Sequence, residues 1–119
     1  SPSDAIVRAL LRNLPSTTQP TFARTLDEFT ALCSVQVRAD YRDAVLALSI
    51  SAPASAKGQW RFARVQTSIV TTPDGATTEY ALCLSRDGWQ VLAGATGRAS
   101  SLPGTQELLA LAQDPHVTW

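Results

Sequence analysis

The sequence holds no methionine, a single histidine (His116), a single lysine (Lys57) and two cysteines. Each shortage excludes something. Metal sites need clustered His, Cys or carboxylates, and one His with two distant Cys does not supply them. Nucleophilic catalysis needs a nucleophile held beside a base. His116 is the fourth residue from the end, and no glycine-elbow signature surrounds Cys33. No apolar stretch approaches the roughly 20 residues that span a bilayer. Basic and acidic residues balance at ten each, so no positive excess draws in a phosphate backbone. Direct nucleic-acid binding and membrane insertion are therefore not expected of this segment.

What is present is a core-forming composition. Of the 119 residues, 45% are hydrophobic and 17% charged, against the usual quarter charged. This suits one domain over residues 1–119, with a neutral surface of Ser, Thr, Gln and Ala. The start at Ser1-Pro2, with neither Met nor a signal-peptide pattern, reads as a domain excised from a longer protein. Cys33 and Cys83 lie in apolar neighbourhoods, which favours two buried thiols and a reducing, intracellular setting over one disulfide.

Along the chain, Ile6, Val7, Leu10, Leu11 and Leu14 recur at helical spacing behind Ser3 and Asp4, and Pro15 ends the run. A second helix is expected after Thr25, whose hydroxyl and Glu28 form a capping-box pattern. Its apolar side would be Leu26, Phe29, Leu32 and Cys33. The period then changes to two. Val35, Val37 and Ala39 mark one strand, and Leu46, Leu48 and Ile50 the next. Gln59 to Thr71 is expected as a long strand or two pieces of one, and a bulge near Ala63-Arg64 would reconcile Trp60 and Phe62 with Val65 and Ile69. Thr72-Pro73-Asp74-Gly75 and Arg86-Asp87-Gly88 are turns. Gly94 to Ser101 reads as a flexible loop, and a last helix begins near Pro103 and stops at Asp114-Pro115. The class is α+β: N-terminal helices, an antiparallel meander of four to five strands, and a C-terminal helix packed on the sheet.

The acids have ordinary duties in this scheme. Asp27, Glu28 and Glu107 suit helix starts, while Asp40, Asp43, Asp74 and Asp87 suit turns. No catalytic residue, cofactor or metal ligand is assigned, and Gly94-Ala95-Thr96-Gly97-Arg98 matches no phosphate-binding pattern. Trp60 and Trp89 are expected in the core, and Trp119 as an exposed terminal anchor or part of a truncated element. The candidate interface residues are Arg61 and Arg64, beside the aromatics of a strand that would be informative if it were an edge. The first-helix stripe Ile6, Leu10 and Leu14 completes the set. The expected partner is another protein or a second copy of the chain.

Two family resemblances bear on this. Leu26 to Val37, a helix running into an alternating strand, is followed by the hairpin Tyr80 to Ala93, then Leu102-Pro103 and the helix through Leu108, Leu109 and Ala112. This order resembles the RWD fold of globular heads in kinetochore and monopolin subunits. The resemblance implies dimerisation or docking in a chromosome-segregation assembly, in the nucleus, although five possible strands exceed the family's four or so. The helices-then-meander order also resembles the NTF2-like cone, with Trp89 near the start of its last strand. That implies an assembly or ligand-binding domain of a bacterial envelope protein, but the pocket His and Asp of such domains are missing.

Overall fold

The computed structural model describes residues 2–29, 31–57 and 61–118. Its architecture is α+β: helix α1 (Pro2–Asn13), six strands, a short 3-10 turn (Ala99–Ser101) and helix α2 (Thr105–Gln113). The strands are β1 (Thr17–Asp27), β2 (Leu32–Tyr41), β3 (Ala44–Pro53), β4 (Arg64–Thr71), β5 (Thr77–Leu84) and β6 (Gln90–Gly97). They form one antiparallel sheet in the order β1-β2-β3-β6-β5-β4. Two three-stranded meanders thus join through their last strands. β1 and β4 are the two edges.

Period-two alternation decides which face is covered. Val35, Val37, Leu46, Leu48, Ile50, Ala81, Cys83, Val91 and Ala93 all point to one side and are at most 2% exposed. Both helices lie on that side. α1 contributes Ile6, Ala9 and Leu10, and α2 contributes Leu108, Leu111 and Ala112. Burying the Val, Leu and Ile side chains among them is worth roughly 1.5–3 kcal/mol each, which is what fixes the register. α2 lies across β5 and β6, while α1 meets α2 and β1.

The expected second helix does not form. Thr25 and Leu26 belong to β1, paired with Ser34 and Cys33. Four threonines favour the pleat (Thr17, Thr18, Thr21, Thr25). The Asp27 carboxylate then accepts the Phe29 N–H at 2.9 Å, and Ala31 takes a left-handed φ of 53°, which turns the chain into β2. The helical spacing of Leu26, Phe29 and Leu32 is a coincidence of that turn, and all three side chains are exposed.

The strand count is six rather than four to five because one segment expected as a helix is a strand, and another expected as a loop lengthens the last strand. β1 replaces the second helix. The supposed flexible loop at Gly94 is the second half of β6, where Gly97 exists for close approach: a Cβ there would stand 3.0 Å from that of Ala44. The bulge near Ala63-Arg64 is also unnecessary. β4 begins at Arg64 and pairs with β5 without a register shift, while Arg61 and Phe62 lie in a turn before it. The turns at Gly75 (φ 87°) and Gly88 (φ 89°) sit where expected. The expectations for Trp60 and Trp119 fall outside the described residues.

Candidate functional site

The helices leave the opposite face of the sheet open. On it, one row of register partners runs Arg38, Ala47, Gly94, Tyr80 across β2, β3, β6 and β5. Two small residues flanked by two long ones make a trough. The neighbouring row, Gln36, Ser49, Leu92, Leu82, adds apolar walls. The resulting half-open concavity holds about 730 Å³, and among the described residues Arg38 is the sole charged side chain lining it. Adding a Cβ at Gly94 would place it 3.3 Å from the Glu79 carbonyl and 3.6 Å from the Tyr80 Cβ, so glycine keeps the floor low.

The second exposed feature is β4. Its residues are solvent-exposed apart from the half-buried Ser68, and Val65, Ile69 and Val70 are 44%, 59% and 52% exposed. α2 reaches over β5 and β6 but barely onto β4, so even the side chains aligned with Cys83 and Ala81 stay wet.

The sequence candidates divide. Arg64 is the first residue of this edge strand and is exposed. Arg61 is not on the strand. Its guanidinium donates to the Val117 carbonyl at 2.5 Å and the Asp114 carbonyl at 3.3 Å, and packs over Phe62 and Trp89 at 5.0 and 5.2 Å from the ring centroids. Burial lowers its pKa from the usual arginine value, opposed by the nearby Asp114 and Cys83. It fastens the C-terminal segment. Ile6, Leu10 and Leu14 are 0%, 1% and 0% exposed, spent on this domain's own core.

Sequence reasoning missed the densest polar cluster. The buried Asp114 carboxylate accepts bonds from Arg12 Nη2 (2.5 Å), Arg12 Nε (3.2 Å), Asn13 Nδ2 (2.9 Å) and the His116 N–H (2.9 Å). Burial alone would raise its pKa, but the bonds from Arg12, the His116 backbone, Asn13 and the His116 ring outweigh that and hold it at about 2. The His116 ring, 3.2 Å from both Asp114 Oδ1 and Arg12 Nη2, is the periphery of this knot. The cluster ties the end of α1 to the end of α2. Its only sequence signal was an Asp-Pro stop, which also described an ordinary helix end.

Other polar groups have local work. Asp74 bonds Thr72 and the Ala76 N–H, Asp87 bonds Ser85 and the Lys57 N–H, and Glu107 accepts the Gly104 N–H. Among the described residues no group of three His, Cys, Asp or Glu could hold a metal. No described helix is long and apolar enough to cross a membrane. Cys33 and Cys83 are both free thiols. They lie on β2 and β5 with two strands between them, about 14 Å at the usual strand spacing. A disulfide tolerates no more than about 7 Å between Cα atoms, so a bridge within the chain is excluded. Burial raises the Cys83 thiol pKa, which the Arg61 charge partly offsets.

Compared with the known protein families, the curated proteins and the solved structures, the chain matches none of them.

Proposed function

We propose that this domain is a non-catalytic assembly module that joins another protein chain through its sheet. The observation that carries the reading is β4, an edge strand exposed along its length with three apolar side chains in water. An unpaired edge is a ready-made template for strand addition, and natural domains usually blunt it. The sequence resemblance to RWD-type heads offers one setting, the globular head of a chromosome-segregation subunit. Six strands in place of about four weigh against that setting and leave the assembly role itself intact.

In-cell photo-crosslinking tests it. A benzoylphenylalanine at Gln66 or Val70 should give protein adducts, and one at Arg8 on the far side of α1 should not. Equal labelling from all three positions, or none from β4, sinks the reading.

The concavity favours a second reading, an NTF2-like ligand-binding domain. Its 730 Å³ lies within the range of roughly 300–1,000 Å³ typical of small-molecule sites. An anilinonaphthalene sulfonate dye, apolar with one anionic group to meet Arg38, is a suitable probe. Ala47→Trp fills the trough and should weaken dye binding at least about 10-fold. Unchanged binding removes this alternative.

A further inference from the structure

The proposed role leaves open what pairs with β4, and the strand's own chemistry answers. The Thr72 N–H donates to the Ala76 carbonyl at 2.9 Å where β4 turns into β5. Antiparallel bonding alternates, so counting back from Thr72, residues Val70, Ser68 and Gln66 face β5 with their backbone. Val65, Thr67, Ile69 and Thr71 present theirs outward. Nothing along Arg64–Thr71 obstructs a further strand: there is no proline, lysine or register shift.

We infer that the occupant is a second copy of this chain, paired antiparallel through β4 about a two-fold axis at Thr67, and this rests on the assembly reading above. A continuous sheet requires opposed residues to share a face. The register centred on Thr67 satisfies that and matches like with like on the helix-covered side. Val65 meets Ile69 of the second copy on the helix-covered side, twice by symmetry, and Thr67 meets its equivalent. On the other side Gln66 meets Ser68 of the second copy. Arg64, the only charge on the strand, meets Val70 of the second copy, so the two arginines stand about 20 Å apart and do not repel. The outward-facing residues Val65, Thr67 and Ile69 become the hydrogen-bonded pairs, each exchanging two backbone bonds. Apolar pairs directly opposite one another add to sheet stability. A self-complementary patch of this kind is what a two-fold interface demands.

The partner is a second copy rather than an unrelated strand because this one register places no charge opposite a charge and leaves no outward apolar side chain opposite a polar one on the covered side. The other edge cannot compete. β1 carries Pro20 and a register shift between Thr18 and Thr21, with Gln19 at a φ of 54°.

The test uses the full chain carrying Cys33→Ser, so that no half-buried native thiol interferes. Sedimentation velocity from about 1 to about 500 μM should show a reversible monomer–dimer equilibrium, weak because an edge contact is small. Thr67→Cys, oxidised with copper phenanthroline, should give a covalent dimer. The two Thr67 Cα atoms would lie about 5.5 Å apart, within disulfide reach. Val70→Cys should not, its copies being about 20 Å apart. Thr67→Pro removes an outward N–H on each copy and should weaken the dimer about 100-fold or more. Should Thr67→Pro fail to fold, Ile69→Lys at an exposed position reads the same contact. A chain monomeric across that range overturns the inference. So does a dimer that Thr67→Pro and Ile69→Lys leave intact, or one that Val70→Cys bridges and Thr67→Cys does not. A monomeric chain whose β4 still crosslinks to a different protein sinks the second copy and keeps the assembly role.

Discussion

The two edges of this sheet are built from opposite instructions. β1 is eleven residues long and β4 eight. The longer edge is the guarded one. Pro20 deletes a donor, the irregularity at Gln19 bends the strand, and Arg24 reaches back to the Ser3 hydroxyl at 3.1 Å. The shorter edge has none of these devices and exposes Val65, Ile69 and Val70. Each device costs pairing or packing that an ordinary strand would keep, and they appear on one side only. The contrast separates an edge closed to further strands from one left usable.

Four measurements would break or sharpen that contrast. The largest effect lies between the edges. Leu48→Ala in central β3 should cost about 2–5 kcal/mol in urea denaturation, whereas Ile69→Ala on β4 should cost below about 1 kcal/mol. Equal costs would mean that β4 is not an edge exposed to water.

The Asp114 knot should come next. Its folded pKa of about 2 lies below the unfolded carboxylate value near 3.9. A depressed pKa contributes stability that is fully present above the unfolded value and lost as pH falls through the folded one. The wild type should therefore lose about 2 kcal/mol between pH 5 and pH 2 that Asp114→Asn has already lost at pH 7. Melting curves of both proteins across that range check it. Parallel pH dependences would remove Asp114 as the cause.

Thiol reactivity reads the same layering. Cys33, half-buried near the turn that joins β1 to β2, should react with Ellman's reagent in the folded state. Cys83, fully buried, should react only on unfolding, at least about 100-fold more slowly. Comparable rates would contradict the packing over β5. The smallest effect belongs to β1. Pro20→Thr, with the irregularity beside it intact, should change stability by no more than about 0.5 kcal/mol and leave the sedimentation coefficient unchanged. New association through β1 would show that the proline alone guards that edge.

How much could be read beforehand depended on the range of the forces involved. The alternation of Val35, Val37 and Ala39, the Asp87-Gly88 turn and the α2 start near Pro103 are local, and each appears where expected. Thr25 to Cys33 was misread because its helical spacing and capping pattern are also local, while the pairing with β2 that overrides them is not. Arg64 was legible as a candidate, conditional on an edge position that only strand order could supply. Arg61 was not separable from it in sequence. Its carbonyl partners at Asp114 and Val117 lie more than fifty residues away. The trough escaped notice because Arg38, Ala47, Gly94 and Tyr80 come from four separate strands, and no spacing along the chain relates them.

By itself the sequence determined the class of the fold. The scarcity of His, Lys and Cys limited the chemistry available, and hydrophobic period and turn residues set an α+β chain with a meander and a closing helix. Those are properties of composition and of neighbours a few residues apart. The tertiary structure decided which strands became edges, which face stayed bare, and that the lone histidine belongs to a carboxylate knot. These depend on contacts across the sheet, where burial and strand pairing outweigh local preference.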